Sequence, residues 1–435
     1  MNLSINSIKI FLGYGIAIFP LFLLIGPMVA EIFLLFLIFI SLFFIIKEKE
    51  GNFLKNKYLF FFSLFYLSTL ISTLINFYNF DYSKSAIFYF RLPLFIISVW
   101  YILNNFNIFT KKLLFFYTLF FIILILDSLY QYYSGQNILG YEILKNRISS
   151  FFAEELILGG FITRIIPIFL IILIMNNKIN GHNLNITFSI LISLAILIVY
   201  LSGERSSFFL LFLFLIVTFF ICKYLRKFLL VTTLIFSILA LIVSNFSFSK
   251  NVNPGNRMFV KSYNQIMGHG DERYEEHKQK FFNKIYFFSH DHHGHYLLSY
   301  KIFKDFPIFG TGAKGFRYLC RNKLYILEKD DGCSTHPHNT YIQIMVSNGI
   351  IGTSLILFAL FYVTKEIFLS RKRINSSLIF DKIEVSKAII LTSIFINLWP
   401  LIPSGNFFNN WLSMIYSYPV GFYLYFNHLN EKKTS

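Results

Sequence analysis

Charge is scarce in this chain: 14% of its 435 residues are Asp, Glu, Lys or Arg, where a soluble protein carries roughly a quarter. That shortage excludes a soluble globular protein. Acids are scarcer than bases, 22 against 39, leaving a formal net charge of +17. In a soluble chain such a balance would point to nucleic acid. Here many Lys and Arg fall in short clusters between hydrophobic runs, where they act as topology signals, and no nucleic-acid partner is expected. Cysteine is limited to Cys222, Cys320 and Cys333 with no Cys-x-x-Cys, which argues against a closed zinc motif. The first apolar run is not followed by a clear small-residue cleavage site; it passes Gly26 and Pro27 into another run and reads as a retained span. No repeat of fixed period is evident, nor a second soluble domain.

Apolar residues make up 56% of the chain and mean hydropathy is +0.60, as expected of a polytopic, all-α membrane protein. The 57 Phe and 27 Tyr exceed what a core needs, but lipid accepts Phe freely, so they carry no functional weight. Taking about 20 apolar residues per crossing, the pattern predicts about twelve spans, near 8–26, 28–46, 58–76, 86–104, 113–131, 156–176, 185–202, 206–222, 228–246, 347–368, 387–403 and 410–428. Alternate loops hold Lys47, Lys49, Lys55, Lys57, Lys111, Lys112, Lys223, Arg226, Lys227, Arg371, Lys372 and Arg373, among others. The remaining short loops hold only Lys84, Lys145, Arg147 and Arg205. The positive-inside bias then puts both termini in the cytoplasm and the long hydrophilic stretch outside. Three regions result: residues 1–246 with spans one to nine, a large outer loop 247–346, and residues 347–435 with spans ten to twelve.

The outer loop is long enough to be functional. Asp271 to Tyr286 is charged and helix-compatible. His295 to Phe306 has helical spacing, Pro307 stops it, and Gly310, Gly312 and Gly315 make a turn-rich approach to Phe316 and Arg317. A small helical cap is expected, with no sheet. In an oxidising compartment Cys320 and Cys333 would tend to pair and fix the following histidines; two free buried thiols are the alternative.

Four groups of residues are suited to chemistry. Leu201 to Ser207, LSGERSS, sets Gly203, Glu204 and Arg205 between two apolar runs. Arg205 is either an interfacial cation paired with Glu204 or a fork that grips a diphosphate through two oxygens at once. Arg147, ahead of Phe151 and Phe152, stands on the same side and with Arg205, Lys145 and Arg317 would make an anion-binding rim. Arg91 and Arg164 lie inside spans, where a charge implies function or an ion pair; Glu31 and Asp127 are the available partners. Eight of the ten histidines fall in the outer loop. The tract His290 to His295, HDHHGH, has metal-binding composition, but its spacing fits no closed site, and a solvated surface is the favoured reading. His338, with His336 just before it and an apolar span just after, is the better candidate for proton transfer, since an unperturbed imidazole titrates near neutrality. The alternative is that His338, with Asn339, merely caps the next helix.

These residues occur in an order that resembles the O-antigen ligase and O-antigen polymerase superfamily of integral membrane glycosyltransferases. His338-Asn339, nine residues, Gly349, two residues and Gly352 reproduce its H-N-x9-G-x-x-G pattern. Ser202 to Ser206, Arg147 with Phe151 and Phe152, and Phe306 to Gly312 with Phe316 support it over residues 147–352. The resemblance implies Arg205 as a diphosphate-binding arginine and His338 as the catalytic histidine, without metal or cofactor. Members often have a second essential arginine in the outer loop. Here His292, His293 and His295 stand in the comparable region, and Arg257 or Arg317 is available to supply the charge.

The expected activity is transfer of a glycan from a polyprenyl-diphosphate carrier to an acceptor hydroxyl at the periplasmic face of a bacterial inner membrane. A lipid A core acceptor would make a ligase, a second lipid-linked glycan a polymerase, and a protein side chain an O-oligosaccharyltransferase. A flippase or other transporter is the alternative from another class, opposed by the lack of inverted-repeat symmetry and of matching broken helices.

Overall fold

Each of the twelve apolar runs overlaps an α-helix, but the run 86–104 is divided between Phe80–Ile87 and Arg91–Asn105, and residues 398–403 of the run 387–403 lie beyond the helix that ends at Asn397. The structure, a computed structural model, describes residues 5–76, 80–179, 185–246, 252–267, 289–325 and 332–434; the segment Asp271 to Tyr286 lies outside the described residues. In chain order the α-helices are α1 Ile5–Ile25, α2 Pro27–Lys47, α3 Lys57–Ile75, α4 Phe80–Ile87, α5 Arg91–Asn105, α6 Lys111–Ser134, α7 Leu158–Met175, α8 Ile186–Leu201, α9 Arg205–Ile221, α10 Arg226–Asn245, α11 Lys261–Met267, α12 His290–Asp305, α13 Gly315–Leu319, α14 Thr340–Ser376, α15 Lys382–Asn397 and α16 Asn410–Thr434. Seven stretches among the described residues are helical, long and apolar enough to cross a membrane, and three further apolar helices are shorter. The protein is a multi-pass, all-helical membrane protein. Among the described residues there is no sheet, only two isolated bridges, Gln136 with Glu142 and Leu144 with Arg147.

Helix α7 is the centre of the bundle. It is apolar on every side, and from Leu158 to Ile174 all its residues but Arg164 are buried, as a helix enclosed by others requires. It packs on α6, α8, α9 and α15; α16 packs on α5 and α15, and α15 on α14. The outward faces of α2, α3 and α10 carry Phe39, Phe43, Phe60, Leu74, Leu230 and Leu234, all exposed, in keeping with an apolar solvent.

Three charges inside this bundle have charged or polar partners. Arg91 forms an ion pair with Glu31 and donates to Asn410 Oδ1 at 2.8 Å. Lys387 meets Glu366 at 3.4 Å. Asp127 accepts from Ile138 N at 3.0 Å and from the Ser150 hydroxyl, so it anchors the loop that carries Arg147.

One helix is broken. Within α14, Gly349 has φ 61° and ψ −158°, a conformation that favours glycine. The freed backbone groups are taken by the chain after Pro307. Ile350 N donates to Pro307 O at 2.9 Å, Thr311 N to Val346 O at 2.8 Å and Gly312 N to Ser347 O at 2.8 Å. Ser72 of α3 also donates to Ser347 O, and Asn348 donates to Thr69 at 2.7 Å. In a membrane an unpaired backbone group costs several kcal/mol, so the break and the loop require each other. A Cβ on Gly349 would collide with the Ile308 carbonyl, and one on Gly352 with the Asn348 side chain. Gly349 therefore lets the outer segment sit against the helix that follows His338, and Gly352 leaves room for the Asn348 side chain that reaches Thr69.

Candidate active site

The loop between α8 and α9 is a turn of three residues, Ser202 to Glu204. Gly203 has φ +65°, and a Cβ there would press on Arg257 and Arg147. Both arginines bind this turn: Arg147 Nε donates to Ser202 O at 3.0 Å and Arg257 Nε to Gly203 O at 3.0 Å. Arg147 also donates to Leu156 O at 2.9 Å and stands 3.5 Å from Glu204. The Glu204 carboxylate faces the N-terminus of α7, accepting from Gly159 N at 2.7 Å, Gly160 N at 3.0 Å and the Ser207 hydroxyl at 2.8 Å. Those amides are otherwise without helical partners. Burial raises the Glu204 pKa, and Arg147, Ser207 and the two amides oppose the rise. The partner of Glu204 is thus Arg147, not Arg205. Arg205 starts α9 and is exposed; its guanidinium donates to Gln265 at 3.1 Å. Arg257, held below the usual arginine range by burial first and then by Arg147 and Arg205, lies beside it.

The histidine tract forms the first turns of α12. Ser289 caps that helix by accepting from His292 N, which lengthens the helix to His290 where spacing had placed its start at His295. Residues three apart share a helix face, so His292 and His295 point the same way. Both meet His338: ring centroids are 5.6 Å apart for His292 and 5.2 Å for His295. His336 completes the group at 4.1 Å from His338. His295 is fixed by the Gly332 carbonyl, 2.8 Å from Nδ1, beside the disulfide that joins Cys320 to Cys333 with a Cα separation of 5.1 Å. Asn339 caps α14, accepting from Tyr341 N at 3.0 Å and Ile342 N at 3.2 Å, and donates to Pro400 O at 2.8 Å. The cap is therefore Asn339. That leaves the His338 ring to other work, while its backbone, at φ 56°, accepts from Ser404 N at 2.8 Å.

Burial, with crowding behind it, disfavours the protonated forms of His338, His336 and His292. Burial pushes His338 down to about 3, and repulsion from His336, His295 and His292 adds to the shift. Burial pushes His336 down to about 4; a Ser404 backbone contact opposes this, and His295, Arg317 and His292 reinforce it. His292 is lowered by burial, then by His295, with Asp291 opposing and Arg205 adding a smaller push. Arg205 thus opposes protonation of His292, and Arg317 that of His336. Among the described residues no group of three or more His, Cys, Asp or Glu is arranged to hold a metal ion.

A cavity of about 670 Å³ adjoins the group; its walls include His336, Arg317, Arg164, Glu204, Asn397 and Trp399. Such a volume suits a small ligand or a lipid headgroup. The structure thus brings His338, His336, Asn339 and Arg317 together, and sets Arg205, Arg257 and Arg147 in a neighbouring cluster. Arg147 and Glu204 build the turn that presents Arg205. Sequence reasoning missed the imidazole stacking, for which the three-residue spacing of His292 and His295 was the available signal. It also missed Asn397 and Trp399, which have no signal in sequence.

Residues 190–357 match the family model described as O-antigen ligase. The matched stretch contains Arg205, Arg257, Arg317, His338, Gly349 and Gly352, whereas Arg147, α15 and α16 lie outside it. No curated protein matches the chain.

Proposed function

We propose that this chain, which belongs to the O-antigen ligase/polymerase superfamily, transfers a glycan from a polyprenyl-diphosphate carrier to an acceptor hydroxyl at the outer face of the bacterial inner membrane. The observation that carries the reading is the half-buried imidazole of His338 packed against His292, His295 and His336, with Arg317 beside His336 on the wall of the adjoining cavity. A general base must be unprotonated before it acts. The acceptor oxygen attacks the anomeric carbon, its proton passes to His338, and the bond from that carbon to the diphosphate oxygen breaks. The electron pair leaves with the polyprenyl diphosphate. Arg205, aided by Arg257 and Arg317, stabilises the charge that develops there. A crowded imidazole is a weak base, and the anionic donor corrects this: a negative charge a few ångströms away favours the imidazolium.

The preferred acceptor is lipid A core, which makes the protein a ligase of surface polysaccharide assembly; a second lipid-linked glycan or a protein hydroxyl is used by the same chemistry. The reaction needs no metal or cofactor, both termini are cytoplasmic, and residues 247–346 form the periplasmic lid. Against a transporter, the break at Gly349 is closed by the protein's own Thr311, Gly312 and Ser72, whereas transporters leave such breaks to their substrates.

The test is transfer of a labelled polyprenyl-diphosphate glycan by purified protein in detergent with EDTA, with lipid A core and a lipid-linked glycan offered separately. Product from wild type and none from His338→Ala is expected. Absence of product from competent substrates, together with movement of the lipid-linked glycan across liposomes, would replace the transferase by a transporter.

A further inference from the structure

The helical segment that carries the partners of Arg205 has its polarity turned inside out. Asn256–Val260 is wound as a π-helix and runs on into α11, Lys261–Met267. Met258, Ser262 and Gln265 share one face at helical spacing. Met258 is buried, and Arg205 donates to the Ser262 hydroxyl at 3.4 Å and to Gln265 Oε1 at 3.1 Å. Phe259, Val260, Tyr263, Ile266 and Met267 share the opposite face, and all five are exposed, Phe259 by 62% and Tyr263 by 57%. A helix that lies between a protein and water buries its apolar stripe and shows its polar one. Here the polar residues serve the protein and the apolar ones face away from it, so the medium outside this face is not water.

The neighbouring surface identifies that medium. Leu230, Leu234, Ile238 and Leu241 make one exposed face of α10, as expected of a span in contact with lipid. The end of α10 is tied to α8 where the hydroxyls of Ser244 and Tyr200 lie 2.9 Å apart, and the Tyr200 ring meets that of Phe259 at 6.3 Å. The apolar face of the segment thus carries on from a lipid-facing one. Charge agrees: residues 252–267 contain no Asp or Glu, and their two cations are Arg257, which holds Gly203 O, and exposed Lys261. Aromatic and aliphatic residues on one side, a basic residue and no acid suit a helix to the boundary between lipid headgroups and acyl chains. A second apolar tip is tied to the same arginine, since Arg257 also donates to Lys145 O at 3.3 Å and the loop that carries Lys145 exposes Ile138 and Leu139.

We propose that residues 256–267 lie in the lipid interface of the bilayer, with Phe259, Val260, Tyr263, Ile266 and Met267 against membrane lipid, and that Ser262 and Gln265 thereby hold Arg205 at headgroup depth. The part that concerns Arg205 rests on the diphosphate-binding role given to it above. Gln265 acts through Arg205, as a positioning residue. A donor whose diphosphate sits at headgroup depth on its lipid tail meets the guanidinium without leaving the bilayer.

The test is collisional quenching of a fluorophore attached to Ile266→Cys in the full-length protein, reconstituted in phospholipid vesicles. Cys222 is buried and the other two cysteines are bonded to each other, so the label goes to position 266. A nitroxide on the lipid acyl chain near the headgroup is expected to quench it strongly, and iodide on both sides of the bilayer weakly. Quenching by iodide alone would put this face in water, and protection from both quenchers would put it against protein, a second copy of the chain included; either result overturns the proposal. For the link to Arg205, Ile266→Glu puts a charge into the face while leaving Gln265 in place. In vesicles it is expected to raise KM for the polyprenyl-diphosphate donor about tenfold with kcat changed less than about twofold, and Ile266→Leu is expected to match wild type. An unchanged KM in Ile266→Glu would overturn the link. Quenching as expected with no transfer by wild type would count against the reaction assigned to His338 and support the lipid contact by itself.

Discussion

The imidazoles of His295 and His338 lie one over the other, ring centroids 5.2 Å apart and planes inclined by 27°, although one ring stands on α12 and the other precedes α14. Burial first, and then repulsion from its neighbours, keeps the His338 ring from taking a proton cheaply.

Acid stability should follow from this crowding. Folded His338 resists protonation down to about 3, whereas the unfolded chain takes up that proton at 6.5. Below 6.5 the unfolded state therefore binds more protons, so stability is complete above that pH and is lost as pH falls toward 3. Thermal melts of the detergent-solubilised protein should drop steadily between about pH 6.5 and pH 4. Asn at position 338 should flatten this slope while abolishing transfer. An unchanged slope in His338→Asn would contradict the crowding argument.

Arg147 and Arg205 should separate by phenotype. Arg147 holds two carbonyls and faces buried Glu204, so Arg147→Ala strands a carboxylate and should lower stability by about 3 kcal/mol. Arg205 is exposed and bonded to side chains of α11. Arg205→Ala should leave the melting temperature within a degree or two while lowering turnover by about a hundredfold or more. Equal melting temperatures for the two variants would remove the distinction.

Gly349→Ala should be poorly tolerated, because its methyl would meet the Ile308 carbonyl at a φ of 61°. A loss of about 3 kcal/mol or more is expected, seen as low yield and early aggregation in size-exclusion chromatography. Ala at the exposed Ser354 of the same helix, whose hydroxyl bonds only its own helix, serves as control and should behave as wild type.

Reduction should act on the histidines through His295. The Cys320–Cys333 bond closes a short loop whose Gly332 carbonyl holds His295, and such a crosslink contributes about 3 kcal/mol. Cys320→Ser with Cys333→Ser should melt earlier and transfer glycan more slowly, with hydrogen exchange rising first around residues 332–338. Exchange unchanged there would show that the loop holds its shape without the bond.

Much of the architecture was legible in the chain itself. Long apolar runs in lipid must be helical because no water is present to satisfy their backbone groups, so the positions of the helices follow from composition alone. Pro307 as a stop, Asn339 before a span and two cysteines in one outer loop are local signals, and each corresponds to a local feature of the structure. Arg91 and Glu31 had to find partners for the same reason, though which carboxylate each arginine would face was not written in either helix.

The partnerships across the bundle belong to the tertiary structure. Glu204 stands next to Arg205 in sequence yet pairs with Arg147, because the turn at Gly203 aims its carboxylate at the α7 amides. Gly349 appears in the chain as one of two spaced glycines; only folding shows that it breaks a helix and that the segment after Pro307 fills the gap. Sequence alone determined the solvent of this protein, the course of its helices and the residue types suited to moving a proton and holding a phosphate, because those depend on composition and local spacing. Packing decided which imidazoles touch, which arginine faces a carboxylate and where the cavity opens, because those depend on contacts between segments that the order of residues does not encode locally.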